Sequence, residues 1–264
     1  MDKEMKLAVL IDAENIASKY VELILAEANS LGSIIYKRIY GNWTTSQMSS
    51  WRNVILDYSI QPIQQFNNIN GKNSSDSSLI IDAMDLLYLG RLDGFCIVSS
   101  DSDFTRLAAR LRESGMFVLG MGEQKTPRSF ISACNKFSYL DIISGGGAAE
   151  SSFTTDKETP EAESAEVKKA EPTTEKPAKK QSEEKPGYNL DAIKRSVKEL
   201  TEEHSDDEGW IFSSKLNVLL NKRFPDFDVR NFGHKKFLPF IMSLDMLELK
   251  RDETNTKLVY FRLK

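Results

Sequence analysis

FCIVSSDSDFTRLAARLRESG, residues 95–115, passes from an apolar run through two serines into an acidic turn, and then into a helical pattern. With Gly94 it predicts a buried strand over 94–100 and a helix over 102–115 closed by Gly115. Asp101 and Asp103 therefore fall where a strand gives way to a helix. KLAVLIDAENI, residues 6–16, has the same plan, with an apolar strand over 6–11 that stops at Asp12. Asp76 opens a helix predicted within GKNSSDSSLIIDAMDLL, residues 71–87. In an open α/β sheet, sites form beyond the carboxyl ends of strands.

Each of these acids also suits a plainer role as a helix N-cap. Two acids in one tight turn cannot cap one helix equally well, so Asp101 and Asp103 carry more weight than a lone acid. Carboxylates packed together raise one another's pKa, which is costly unless a cation sits among them. All-oxygen ligands favour Mg²⁺ or Mn²⁺, and such ions suit phosphodiester chemistry. Asn15, three residues after Asp12, is spaced to hold a ligand or water beside it. Lys72, four residues before Asp76, is placed to meet a phosphate. Asp82 lies deeper along the same helix and is expected to point into the same cleft.

Outward from these motifs, strands and helices alternate. Strands are predicted over 33–41, 60–66 and 116–122, with Pro62 arguing for an edge position. Helices are predicted over 14–32, 46–59, 76–90 and 127–137, the first ending at Gly32. This pattern implies an α/β fold with a mainly parallel sheet covered on both faces. The pattern stops near residue 143. Residues 144–187 are rich in Glu, Lys, Pro, Ala and Thr with a single aromatic, Phe153. Such a segment cannot bury enough apolar surface to offset its ordering entropy, so a disordered linker between two independent domains, 1–143 and 188–264, is expected.

Beyond it, an amphipathic helix is predicted over 190–204, then within 209–225 a short extended entry and a helix from the Ser213/Ser214 cap, a third helix over 228–245, and a hairpin over 247–264. Three helices and a hairpin make a small winged helix-turn-helix domain. Trp210 is expected to anchor its core, as are Phe232, Phe237 and Phe240. Pro239 is expected to kink the third helix. Lys222, Arg223, Arg230, His234, Lys235 and Lys236 are candidates for a basic patch on this domain.

Composition bounds the rest. The chain has 264 residues and a net charge of −4. Residues 1–143 hold 14 Lys/Arg against 16 Asp/Glu, 144–186 hold 7 against 10, and 187–264 hold 14 against 13. No segment is strongly basic, so nucleic-acid binding must rest on local patches. No run is long and apolar enough for a membrane span, and the acidic start does not read as a signal peptide. Cys96 and Cys134 lack metal-ligand spacing and are expected to be buried free thiols, as in a reducing cytoplasm. Two histidines cannot by themselves build a zinc site.

VLIDAENI, GKNSSDSSLIIDAMDLL and IVSSDSDFTRLAARLRESG, in that order, resemble the NYN domain, a branch of the PIN-like ribonucleases that includes the LabA-like bacterial proteins. The resemblance covers about residues 5–143 and implies a PIN-like α/β/α sandwich and divalent-metal-dependent RNA cleavage. It implies that Asp12, Asp76, Asp101 and Asp103 bind the metal. Asn15, Lys72 and Ser100 would support them, and Asp82 matches a further acidic position. FPDFDVRNFGHKKF, residues 224–237, carries a second resemblance, to the OST-HTH/LOTUS domain. That family implies RNA binding, with the basic patch facing the RNA, and contacts with protein partners; the RNA is expected to be single-stranded.

The resulting expectation is a cytoplasmic, Mg²⁺- or Mn²⁺-dependent ribonuclease of RNA processing or decay, with a C-terminal RNA-binding module. A non-catalytic RNA- or protein-binding adaptor with a vestigial acidic pocket is the alternative. A phosphohydrolase of the haloacid dehalogenase type, with Asp12 as nucleophile, fits poorly. Glu14 stands where that class needs a second Asp.

Overall fold

The computed structural model describes residues 4–64, 74–145, 190–252, 255 and 258–264. Most of the expected linker and Lys72 lie outside the described residues. In the first domain, β1 (Met5–Asp12) leads through a 3-10 turn into α1 (Val21–Asn29). β2 (Gly32–Gly41), α2 (Trp51–Asp57), β3 (Gln61–Gln64) and α3 (Ser74–Tyr88) follow. Then come β4 (Gly94–Val98), α4 (Thr105–Glu113), β5 (Phe117–Gly122), α5 (Arg128–Ala133), β6 (Lys136–Tyr139) and α6 (Leu140–Gly145).

The six strands form one parallel sheet in the order β3-β2-β1-β4-β5-β6. Leu7 to Ile11 are all fully buried. Their side chains alternate between two cores. Leu7, Val9 and Ile11 join α1, α2 and α6 on one face, and Ala8 and Leu10 join α3, α4 and α5 on the other. This explains why β1 reads as an unbroken apolar run: a strand covered on both faces has no polar side. Cys96 and Cys134 are buried free thiols within these cores. Pro62 lies on β3, at the sheet edge.

The structure revises several boundaries. Gly32 does not cap α1 but begins β2, where a Cβ would lie 2.1 Å from Met5 O. Close strand approach, not helix termination, requires the glycine. Residues 134–137 are not helical. Cys134 ends α5, and β6 forms the second sheet edge.

The second domain contains α7 (Leu190–His204), β7 (Ile211–Phe212), α8 (Ser213–Arg223), α9 (Phe237–Ser243), β8 (Leu247–Arg251) and β9 (Val259–Leu263). Its strands make an antiparallel sheet in the order β7-β9-β8. The expected third helix is split. A 3-10 turn (Val229–Phe232) ends at Gly233 with φ +77°, and α9 starts afresh four residues later. Pro239 thus sits in the first turn of α9, where its missing N–H has no intrahelical partner to lose. Phe240 is buried and Phe232 and Phe237 pack against the same core. Trp210 does not join that core; it lies on the outer side of the small sheet. No helix among the described residues is long and apolar enough to cross a membrane.

Where independent domains were expected, the two meet. Phe137 N–H, on the outer edge of β6, donates to Pro225 O at 2.8 Å. Asp226 is buried and accepts from Tyr139 Oη at 2.6 Å and Arg128 Nη1 at 3.0 Å. Arg230 grips Glu27 of α1 through two bonds of 2.7 and 3.0 Å while also bonding Asp228. Burial pushes the Glu27 carboxyl up, but Arg230 and Lys136 outweigh it and hold it below the ordinary value. Arg230 was expected to face RNA. Its charge is instead spent between two carboxylates.

Arg230→Ala leaves Glu27 with the Ser138 hydroxyl at 3.2 Å and a distant Lys136 at 3.9 Å. It is expected to cost about 2 kcal/mol of stability, the scale of hydrogen bonds to charged groups. Hydrogen exchange at the Phe137 amide should quicken. Unchanged exchange there would show that the domains do not hold this contact in solution.

Candidate metal centre

The strand order reverses between β1 and β4, the two strands that lead into Asp12 and Asp101. A crevice opens beyond strand ends at such a point. Asp12 is the last residue of β1 and is almost fully buried. Its Oδ1 accepts from Glu14 N–H at 3.1 Å, and its Oδ2 accepts from Asn15 Nδ2 at 2.6 Å and Ser99 Oγ at 2.8 Å. Burial pushes its carboxyl above the ordinary value, with the Glu14 charge adding to the rise and these hydrogen bonds opposing it.

Beyond β4 the chain folds back on itself. Asp101 N–H donates to Ser99 Oγ at 3.1 Å, and Asp101 Oδ1 caps the next turn by accepting from Asp103 N–H at 3.0 Å. Ser99 therefore links Asp12 to the Asp101 turn. Gly122, at the end of β5, makes room for it, since a Cβ there would lie 2.7 Å from Ser99 O and 2.6 Å from Thr126 Oγ1. Asp76 stands in the first turn of α3. Asp76, Asp101 and Asp103 each offer an oxygen within 4.8 Å of the others.

Asp76 registers this crowding. Its pKa is pushed up to about 6, first by burial and then by the charges of Asp12, Asp101, Asp103 and Glu14. Glu14 is an acid of this neighbourhood that sequence reading weighed only against the haloacid dehalogenase class. A cluster with such an excess of negative charge and only oxygen donors suits a hard divalent cation. Asp76, Asp101 and Asp103 are the residues that would hold it.

Two expected contributors are engaged elsewhere. Asp82 pairs with Arg38 and accepts from Tyr40 Oη, both on β2, and is outside the cluster. Ser100 Oγ accepts from Glu123 N–H at 2.9 Å, so it anchors the loop after β5, and Ser99 is the serine that braces Asp12. In the second domain, Arg223 pairs with Glu199 at 2.6 Å and His234 Nε2 lies 3.3 Å from Ser243 Oγ. Lys222, Lys235 and Lys236 are exposed. Lys222 and Arg223 line a cleft of about 760 Å³ with Arg112 and Lys136 of the first domain. That cleft lies by the start of β5 and β6, at the opposite end of the strands from the acids.

Comparison with known families fits this arrangement. The family model of the NYN domain matches residues 6–141, over half of the chain. The chain belongs to the NYN-domain family. The OST-HTH/LOTUS domain matches residues 189–259. The parallel sheet with helices on both faces is the PIN-like α/β/α arrangement expected of an NYN domain. No curated protein matches the chain. Among solved structures, a protein of unknown function from Vibrio parahaemolyticus is similar at 17% identity and TM-score 0.44, over 52% of this chain and 93% of that one. MurG from Acinetobacter baumannii is similar at 12% identity and TM-score 0.34, over 51% of this chain and 40% of that one.

The crowding in the NYN domain has a thermodynamic sign. Asp76 is raised from 3.8 to about 6 on folding, so its contribution to stability is present below 3.8 and lost as pH rises through 6. In EDTA at pH 7, Asp76→Asn is expected to be more stable than wild type by about 1 kcal/mol, or roughly 2–4 °C in Tm. The gap should close below about pH 4. Mn²⁺ should raise the wild-type Tm and leave the variant's nearly unmoved. A variant less stable than wild type in EDTA would refute the repulsion argument.

Proposed function

We propose that this NYN-domain protein is a divalent-metal-dependent ribonuclease whose OST-HTH domain recruits single-stranded RNA. The observation that carries the reading is the grouping of Asp76, Asp101 and Asp103 within 4.8 Å beside the buried Asp12, at the point where the sheet order reverses. A bound Mg²⁺ or Mn²⁺ supplies Lewis acidity toward a phosphodiester and offsets the charge that develops on it.

The chain's own residues do the rest. Asp76, with a pKa of about 6, releases its residual proton when a cation is held. Asp12 lies beside the cluster, and Asn15, Ser99 and the Glu14 amide prevent its carboxyl from turning away. Asp101 is doubly constrained, through its own N–H and through its cap to Asp103. A site held this firmly loses little on reorganisation. The two buried thiols suit a reducing cytoplasm.

Carboxylates repel phosphate, so affinity for RNA must come from cationic surface elsewhere. Lys235 and Lys236 are exposed beside α9, and Lys222 lines a cleft with Arg112 and Lys136 that has no carboxylate among its lining residues, Arg223 there being paired with Glu199.

The test is cleavage of a labelled single-stranded RNA in Mg²⁺, Mn²⁺ or EDTA. Activity should require the metal and fall at least about a hundredfold in Asp101→Asn and in Asp12→Asn. Metal-independent cleavage, or undiminished activity in both variants, would sink the nuclease reading and favour a non-catalytic adaptor. Separately, Lys235→Ala with Lys236→Ala should flatten the salt dependence of RNA binding by about 0.7 log units per lost phosphate contact. An unchanged slope and affinity would assign that surface to protein partners.

A further inference from the structure

The small sheet of the second domain has two unlike faces. Ile211, Leu247 and Phe261 are buried in the domain core together with side chains of α7, α8 and α9. The opposite face follows from the register. Phe212 lies opposite Tyr260, which lies opposite Lys250, and Arg262 lies opposite Glu248. Opposed residues share a face. Trp210, two residues before Phe212, completes it, with Arg262 Cζ 4.6 Å and Lys250 Nζ 5.4 Å from its ring centroid. The rings of Phe212 and Tyr260 lie 5.5 Å apart, tilted by 46°.

The outer face of a half-buried antiparallel sheet is ordinarily polar. Here three aromatic rings stand partly exposed on it, interleaved with cations. The carboxylate on this face, Glu248, is occupied by Arg262. Exposed π-faces beside Lys250, which has no carboxylate partner among the described residues, match one polymer well. Bases stack on rings, and the phosphates between them meet Lys and Arg.

We propose that the wing face formed by Trp210, Phe212, Tyr260, Lys250 and Arg262 is a base-stacking platform for about two or three nucleotides of single-stranded RNA. This rests on the reading of the second domain as an RNA-binding module and names its contact surface and mode. The platform is separate from the acidic cluster and from the Lys222–Arg223 cleft. It reads bases through their flat faces, so it tolerates sequence and rejects paired strands, whose bases are already stacked.

The experiment uses the full chain and a short uridine oligomer, with the same length of duplex RNA and inorganic polyphosphate as comparisons. Single-stranded RNA should quench tryptophan fluorescence, and the quenching should vanish in Trp210→Phe, because Trp43 and Trp51 belong to the other domain. Polyphosphate and duplex should not quench. Trp210→Ala and Tyr260→Ala should each weaken binding about tenfold, while Tyr260→Phe binds as wild type. Lys250→Glu, at an exposed position that the fold tolerates, should weaken binding as well. Wild-type affinity in folded Trp210→Ala, Tyr260→Ala and Lys250→Glu would overturn the platform and leave the RNA-binding reading intact. Equal quenching by polyphosphate would also overturn it, in favour of a charge-only site. A wild-type chain that binds no RNA would overturn both readings.

Discussion

Two-sided burial of the central strands is the constraint from which the rest follows. Every side chain of β1 from Leu7 to Ile11 is committed to one core or the other, and β4 is buried throughout. No polar group can be placed along these strands without an unmet desolvation cost. Polar chemistry is therefore displaced to the first residue beyond the apolar run. In β1 that residue is Asp12, and after β4 it is the Ser99–Asp103 turn. Because β1 and β4 are neighbours, with Leu7 to Ile11 paired against Gly94 to Val98, both runs end at the same height. Ser99 Oγ then closes the 87-residue separation with one hydrogen bond to Asp12.

This constraint is also why so much was legible. Runs that must be apolar on both faces are conspicuous, and acids that end them more so. α7 was bounded as predicted over 190–204 because its amphipathic pattern is local. What was illegible depended on pairing across the fold. Nothing near Asp82 in the chain announces that Arg38 and Tyr40, on β2, will claim it. Ser99 and Ser100 are adjacent and alike in sequence, and only their hydrogen bonds, one to Asp12 and the other from Glu123 N–H, separate the brace from the anchor. Gly32 carries the signature of a helix cap, but the neighbouring strand, not the helix, needs it bare. The short run Lys136–Tyr139 reads as the tail of a helix until β5 is there to pair with it.

The contact between domains is built from groups that are expensive to bury. Asp226 Oδ2 is satisfied by Tyr139 and Arg128, while Oδ1 has no hydrogen-bond partner among the described residues. Such an arrangement gives little net stability compared with an apolar contact, but a mismatched partner surface would leave a buried charge unpaired. Its worth lies in fixing one relative placement. Pro225 O reinforces this by covering the β6 edge at Phe137, a position otherwise open to another strand.

The fixed placement bears on how an acidic site engages a polyanion. The cluster raises the pKa of its own Asp76, so without a cation it repels phosphate and affinity cannot originate there. Arg230 and Arg128, the cations within the domain contact, are paired with Glu27 and Asp228 and with Asp226, and add no attraction. On the proposed reading, attraction comes from surfaces remote from the acids: the exposed lysines beside α9, the cleft at the far end of β5 and β6, and the wing. A polymer held at such sites reaches the acids only if the domains keep a set separation. A docked second domain meets that requirement in a way a freely tethered one does not, because docking turns a distribution of distances into a single one.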